Sequence, residues 1–326
     1  MTRDGACKLN LWPGGLALVL LVVVGAWTSR ARAENYTLSA IAYNVHLLPD
    51  VALRIAGERG ESRYRAERIG RQLAAYGLIG ICEAFDGDHS RRLISSLQSH
   101  AEHELSIAYG PSRSGRHFIG SGLVLLSRWP IVERHTETYS HASRFVTSGF
   151  KADGFAAKGA LHVRLRLGNQ SGQQLDCFLT HLESRSSDAR AKQIGQLAEF
   201  IARHASPQLP VLIMGDLNVA ADPVGGLGQR TEYQQMLTAL SAHGRRYADL
   251  GAAASTGTSD AIATDGGRRI DYLLVSNPTE QAMLQMVTHD TKHLRLLDER
   301  VPEGSLSDHM AVSCRLRLAS VRESQR

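Results

Sequence analysis

Short apolar segments that are typical of β-strands alternate with amphipathic helical segments along most of this chain. Strands are predicted at Leu38–Asn44, Leu78–Glu83 and Val211–Gly215, and helices at Ser62–Tyr76 and Ser187–His204. Strands outnumber helices, and some neighbouring strands resemble antiparallel pairs. Because a sheet must bury its apolar faces against another layer, we predict an α/β fold, a four-layer sandwich of two mixed β-sheets flanked by helices.

The segment 161–167 has a different pattern from the other strands. Its leucine and valine residues alternate with His162, Arg164 and Arg166, which predicts a strand with one face in water. Further strands are predicted at Gly122–Ser127, Leu175–Thr180, Ile270–Val275 and Ala311–Leu318, and a helix at Asp88–Ser99. No linker divides residues 34–326, so we predict that they form a single domain.

The first 33 residues have the pattern of a secretory signal peptide. Arg3 and Lys8 precede the apolar run Leu16–Trp27, and the segment 31–33 has the small residues of a cleavage site. The run of 12 residues is too short for a membrane-spanning helix, which needs about 20. We therefore expect residues 1–33 to be removed and the mature protein to be secreted or periplasmic.

The net charge indicates which kinds of partner the protein binds, and the cysteines indicate whether a disulfide is expected. The chain has 37 basic and 32 acidic residues, and without residues 1–33 these become 33 and 31, a net charge of +2. Nucleic-acid-binding proteins usually have a larger basic excess, although charge can still cluster on one face. The mature chain retains Cys82, Cys177 and Cys314, all in apolar segments. They are predicted to be buried free thiols, with one disulfide as the alternative in an oxidising compartment.

Polar side chains occur repeatedly where the predicted strands begin or end. The ends of strands form rigid positions at the rim of a sheet, where active sites are commonly built. Each of these residues alone is more often a turn former or a solvated side chain. Together they provide oxygen ligands, two imidazoles and a carboxylate–amide pair, and oxygen ligands suit magnesium, manganese or calcium better than zinc. The set consists of Asn44, Glu83, His181, Asp216, Asn218, Asp271, Asp308 and His309.

These motifs resemble those of the endonuclease/exonuclease/phosphatase (DNase I-like) superfamily, and they occur in that family's order. The matching segments are Tyr43–Val45, Cys82–Asp86, Thr180–Leu182, Gly215–Asn218, Arg269–Tyr272 and Ser307–His309. Within the superfamily, the chain is most similar to the secreted neutral sphingomyelinases. That similarity is carried by Asn44–Pro49, Glu83–Asp86, Ser127–Glu133 and Lys158–Gly159.

The resemblance implies a secreted, metal-dependent phosphodiesterase that hydrolyses sphingomyelin to ceramide and phosphocholine. Residues 34–326 would then be its catalytic domain, acting as a monomer on a phospholipid at a membrane or micelle surface. It also implies a divalent metal, magnesium first and manganese or calcium as alternatives. Glu83 is the expected metal ligand, with Asn44 and Asp308 as its partners.

The resemblance also implies roles for the remaining residues of the set. His309 is expected to be the general base that takes a proton from water, oriented by Asp271. Asp216 is expected to position the water or the histidine, and Asn218 to donate a hydrogen bond to the phosphate. His181 is expected to stabilise or protonate the opposite side of the phosphate. Lys158 is assigned to substrate binding, although a lysine on the surface is the more frequent case.

One segment departs from the pattern of the bacterial sphingomyelinases, which carry a membrane-inserting aromatic hairpin before the last motif. Met286–Leu306 contains no Trp, Phe or Tyr. Leu294, Leu296 and Leu297 are the candidate substitutes, but leucine is a weaker membrane anchor than tryptophan.

Two alternatives to the sphingomyelinase interpretation stay open. The first is an exported DNase I-like endonuclease, favoured by the basic segments Arg113–His117 and Arg268–Arg269, or another phosphoesterase of the superfamily. The second is a catalytically inactive binding protein on the same scaffold, which would lack a catalytic residue. None of the expected catalytic residues is missing from the sequence.

Overall fold

A computed structural model describes most of the chain. The described residues are 35–48, 61–85, 87–113, 117, 119–141, 156–170, 173–221, 230–252, 268–280, 282–301 and 304–320. The predicted signal peptide at residues 1–33 lies outside these ranges. The signal peptide and the domain boundary at residue 34 therefore stay predictions.

The described residues form twelve strands and four helices. In chain order these are β1 (Tyr36–Leu47), α1 (Ser62–Leu73), β2 (Leu78–Ala84), α2 (Gly87–His100), β3 (Ser106–Tyr109), β4 (Val124–Ser127), β5 (Ile131–Thr138), β6 (Gly159–Arg166), β7 (Gln174–His181), α3 (Ser187–His204), β8 (Val211–Asp216), α4 (Glu232–Leu240), β9 (Ala248–Asp249), β10 (Asp271–Ser276), β11 (Leu284–Leu294) and β12 (Ala311–Ser320). One sheet has the order β11-β12-β1-β2-β4-β3, and the other has the order β5-β6-β7-β8-β10-β9.

The two sheets and four helices confirm the predicted four-layer sandwich. Successive side chains of a strand point to opposite faces, so a strand in a middle layer must be apolar on both. In β1, Leu38 and Ala40 join the core between the sheets, whereas Ile41 and Tyr43 join the core beneath α1 and α2. A third core lies between the second sheet and the helices α3 and α4.

The sheet topology brings the polar ends of the central strands to one edge. β1 and β2 are parallel neighbours, and so are β7 and β8. Their carboxyl ends carry Asn44, Glu83, His181 and Asp216. β10 runs antiparallel to β8 and begins with Asp271 directly opposite Asp216. The register of the strands thus places residues from five separate motifs at one rim.

The prediction that one face of β6 lies in water is wrong. His162 is fully buried and Arg164 is mostly buried, and only Arg166 at the end of the strand is exposed. The polar face of β6 is covered because β6 lies inside the second sheet and the end of α3 packs over it. The alternating pattern indicated a polar face correctly, but these side chains bond to protein groups instead of water.

Five elements were not predicted, namely β3, β5, β9, β11 and α4. β5 and β11 are edge strands with mixed, largely exposed residues, so neither has a clear apolar period. α4 begins with a capping box in which Thr231 and Gln234 exchange hydrogen bonds with each other's backbone, and this sequence signature could have identified it. The helix α1 begins at Ser62 as predicted but ends at Leu73, three residues earlier than predicted, and Glu61 before it makes no side-chain capping hydrogen bond.

The prediction for the cysteines is confirmed. Cys82, Cys177 and Cys314 are buried free thiols. No helix in the described parts of the chain is long and apolar enough to cross a membrane.

Candidate active site

A cavity of about 470 Å³ opens at the rim where the polar strand ends meet. Its walls include Glu83, His181, Asp216, Asn218 and His309. Asp308 also lines the cavity. Asn44 is hydrogen-bonded to Asp216 and Asp271 to His309, so both lie directly behind the cavity wall. All eight residues predicted from the strand ends therefore meet at one place. The basic side chains of Arg185 and Arg268 lie at the same cavity.

His309 and Asp271 form a tightly held pair at the base of the cavity. The Nδ1 atom of His309 lies 2.8 Å from a carboxylate oxygen of Asp271, and both side chains are buried. Burial disfavours the charged imidazole, but the carboxylates of Asp271, Asp216 and Asp308 outweigh burial and raise the pKa of His309 to about 11. Because Nδ1 is engaged by Asp271, Nε2 is the nitrogen available for proton transfer.

Asp216 lies at the centre of the buried network. One of its carboxylate oxygens accepts a hydrogen bond from the Asn44 amide at 3.0 Å and lies 3.8 Å from Nε2 of His309. Burial and the negative charge of Asp271 raise the pKa of Asp216 to about 7, while His309, Asn44 and Lys158 oppose this shift. Asp216 is thus positioned to orient the imidazole or a water beside it.

The carboxylates of Glu83 and Asp308 both approach the same ring nitrogen of His46. Nδ1 of His46 lies 3.3 Å from Glu83 and 3.6 Å from Asp308. Burial alone would raise the pKa of Glu83, but His46, His181 and Lys158 lower it well below its ordinary value. Glu83 is therefore ionised, as a metal ligand must be.

The sequence analysis missed His46 as a site residue. It lies two positions after Asn44, within the segment Asn44–Pro49 that carries the resemblance, and this position is the signal that could have identified it. The pairing of β1 with β2 shifts register between Asn44 and Leu47, and His46 has a positive φ of 48°. This irregularity turns the imidazole toward Glu83 instead of leaving it in the regular strand.

Lys158 is buried in the site and is not a surface lysine. Its Nζ lies 2.8 Å from Nε2 of His181, and its exposed fraction is 2%. A lysine ammonium can only donate hydrogen bonds, so Nε2 of His181 accepts. His181 in turn lies 3.5 Å from Asp216 and 3.7 Å from Glu83. The buried positive charge of Lys158 therefore lies among the carboxylates of the site.

Two of the site residues have strained backbone conformations. Glu83 and Asn218 have φ values of 61° and 53°, a region that non-glycine residues rarely adopt. The amide of Asn218 donates to the carbonyl of Leu182 at 3.0 Å, which fixes its side chain at the cavity wall. Gly215, with φ of 132°, precedes Asp216, and a Cβ there would lie 2.0 Å from the carbonyl oxygen of Thr180. Only glycine allows β7 and β8 to approach this closely beside Asp216.

Replacing Lys158 with methionine is expected to slow turnover about 10–150-fold while the fold is retained. A hydrogen bond to a charged group contributes about 1.5–3 kcal/mol, which corresponds to this range. Steady-state kinetics of the purified variant provide the measurement. Lys192→Met is the matched control, because Lys192 is exposed and pairs with Asp188 along α3. Equal activity in the two variants would contradict a role for Lys158.

The segment between β11 and the last motif is tied to the body of the protein. Asp298 accepts hydrogen bonds from Tyr64 and Arg68 of α1. Leu296 is buried and Leu294 packs against the core under α1 and α2, so they cannot act as the membrane anchors considered from the sequence. Among the described residues between β11 and the last motif, Leu297, which is 59% exposed, is the large apolar side chain that faces solvent.

Comparison with protein families and curated sequences gives two findings. Residues 41–309 match the model of the Endonuclease/Exonuclease/phosphatase family. The chain is 28% identical over 268 residues to Sphingomyelinase C of Leptospira interrogans, a match that covers 74% of this chain and 45% of that protein. The chain spans less than half the length of the curated relatives it matches.

Solved structures share the fold of this chain. SmcL superposes with a TM-score of 0.61 at 20% identity, over 86% of this chain and 98% of that chain. A beta toxin variant from Staphylococcus aureus with bound magnesium ions superposes with a TM-score of 0.60 at 18% identity, over 86% of this chain and 99% of that chain. At these identities the likeness establishes the fold alone.

Proposed function

Because this chain belongs to the Endonuclease/Exonuclease/phosphatase family, as its motifs predicted, we propose that it is a metal-dependent phosphodiesterase that hydrolyses sphingomyelin. The products are ceramide and phosphocholine. The observation that carries the proposal is the convergence of the His309–Asp271 pair, the Lys158–His181 pair and the carboxylates of Glu83 and Asp308 on one cavity. The relatives named as sphingomyelinases support the choice of lipid among phosphodiesters.

The donor set at one side of the cavity fits a divalent metal. Glu83 is ionised and offers a carboxylate, Asp308 offers a second, half-exposed one, and His46 lies between them. Oxygen-rich sites favour magnesium, manganese or calcium. When bound, such an ion polarises the phosphate, offsets the charge that develops on its oxygens and opposes protonation of His309. The amide oxygen of Asn44 accepts from the backbone of His46 and keeps one lone pair for the same region.

His309 takes the proton from the attacking water through Nε2. Asp271 holds Nδ1 and stabilises the imidazolium that results. Asp216, next to Nε2, orients the water for attack on phosphorus. Nε2 accepts this proton in the neutral form of the imidazole, which the surrounding carboxylates disfavour and a bound cation would favour.

Lys158 and His181 act on the opposite side of the phosphate. The ammonium group of Lys158 donates to Nε2 of His181, so this nitrogen is not the proton source in the resting arrangement. We assign the supply of positive charge to the ammonium of Lys158 behind the cavity wall, and His181, which lines the cavity, carries its proton toward the leaving oxygen. Asn218 has a second amide proton for the phosphate while the first is bonded to Leu182.

The segment after β11 affects how readily the protein reaches lipid in a membrane. With Leu294 and Leu296 turned into the core, the described residues of this segment offer little apolar surface for insertion. We expect lipid dispersed in detergent micelles to be hydrolysed faster than the same lipid in sealed vesicles. Secretion and a monomeric state are parts of the same proposal.

The experiment measures phosphocholine release from sphingomyelin micelles and vesicles, with plasmid DNA as the competing substrate. Each substrate is tested with magnesium, manganese, calcium or EDTA. Phosphocholine release that EDTA abolishes supports the proposal. Metal-dependent nicking of DNA without phosphocholine release would replace it with the endonuclease alternative, although Arg269 is already neutralised by Asp249. Inactivity on both substrates would overturn both assignments.

A further inference from the structure

A cluster of three histidines and a glutamate lies on the second sheet, away from the candidate active site. His135 of β5 and His162 of β6 are cross-strand neighbours, and His204 is the last residue of α3. The rings of His135 and His204 stack with centroids 4.0 Å apart. Glu133 joins them, and one potential ligand atom from each of the four residues lies within 4.8 Å of the others.

His162 has the hydrogen bonding of a metal-binding imidazole. It is fully buried, and its Nε2 lies 2.8 Å from a carboxylate oxygen of Asp176. A carboxylate accepts hydrogen bonds, so Nε2 carries the proton and Nδ1 carries the lone pair. Nδ1 is also buried and has no hydrogen-bond partner among the residues that the structure describes. Metal-bound histidines typically donate their other N–H to a carboxylate in this way, which sets the tautomer and the ring orientation.

The charges around the cluster favour a cation. Glu133 and Asp176 carry two negative charges, and Arg164, which contacts both, carries one positive charge. With neutral imidazoles the group therefore has a net charge of −1. Glu133 reaches His135 with one carboxylate oxygen and Arg164 with the other.

We propose that Glu133, His135, His162 and His204 form a second metal site, one for zinc, which fastens the end of α3 to the second sheet. Three imidazoles and one carboxylate are zinc ligands, unlike the oxygen-rich set of the active site. A tetrahedral zinc ion with bonds of about 2.0–2.1 Å needs its ligand atoms about 3.4 Å apart. The half-exposed side chains of His135 and His204 can turn to close the remaining distance, while His162 is fixed by Asp176.

The test measures zinc affinity by calorimetry and site geometry by cobalt absorption, both on metal-stripped protein. The Glu83→Gln/His309→Ala background weakens binding at the active site, so that the bound zinc reports on the histidine cluster. We expect one equivalent of zinc in this background, and a visible cobalt spectrum typical of four-coordinate imidazole sites. Adding His204→Gln is expected to weaken zinc binding at least 10–100-fold, because even partners outside the ligand shell contribute about this much.

His243→Gln is the matched control, since His243 is a half-exposed histidine that pairs with Glu199 outside the cluster. His135→Gln is the second variant if His204→Gln does not fold, as judged by circular dichroism in EDTA. Zinc affinity that neither cluster variant changes would overturn the site. Absence of any bound zinc in the Glu83→Gln/His309→Ala background would also overturn it. Neither result depends on which lipid or nucleic acid the protein hydrolyses.

Discussion

Replacing His309 with alanine is expected to lower the rate of phosphodiester hydrolysis by roughly 10²–10⁴-fold, the usual contribution of a positioned general base. His309 is the imidazole held by Asp271 with Nε2 facing Asp216 and the cavity. Without it, the attacking water has no positioned base whose ordinary pKa lies near neutrality. The measurement is turnover of sphingomyelin micelles under saturating magnesium, with metal affinity determined on the same preparation.

Two further variants distinguish loss of the general base from loss of the folded structure. His243→Ala removes a half-exposed histidine that pairs with Glu199 outside the cavity, and we expect full activity from it. Asp271→Asn leaves His309 in place but removes the charge that raises its pKa, so its pKa should fall in a titration followed by nuclear magnetic resonance. If His309→Ala kept more than a tenth of the activity, His309 would not be the base.

Replacing Glu83 with glutamine is expected to abolish metal-dependent turnover, by about 10³-fold at a metal concentration that saturates the unchanged protein. A bound divalent ion contributes several kcal/mol to charge stabilisation in the transition state, and about 4 kcal/mol corresponds to a factor of 10³. Glutamine has nearly the same shape as glutamate, so the strained turn at residue 83 is retained while the charge is lost. Calorimetric titration with magnesium and manganese provides the direct measurement.

The dependence on metal concentration distinguishes this effect from loss of the fold. Partial recovery of activity at high magnesium is expected for Glu83→Gln but not for His309→Ala, because only the first weakens metal binding. Glu67→Gln is the control, since Glu67 is exposed on α1 and pairs with Arg92. Unchanged magnesium affinity in Glu83→Gln would show that Glu83 is not a ligand and would move the metal site elsewhere in the cavity.

The layers of the fold and the rim of the site could be predicted from local sequence. Apolar runs such as Val211–Met214 specify buried strands wherever they occur, and a polar residue directly after such a run must lie at the edge of a sheet. Asp216 and His181 were predicted for this reason, and parallel pairing of β7 and β8 places them opposite each other. The edge strands β5 and β11 escaped prediction because strands with one neighbour need no apolar period.

The family and the fold class were thus determined by the sequence, since both depend on patterns within short segments. The environments of His46, Lys158 and His162 were decided by tertiary structure. A bulge in β1 turns His46 toward Glu83, the pairing of β6 with β7 brings Lys158 to His181, and α3 covers His162. These contacts join positions 23 to 42 residues apart in the chain. Strand register and layer packing bring such residues together, and neither is visible in the local pattern of polar and apolar residues.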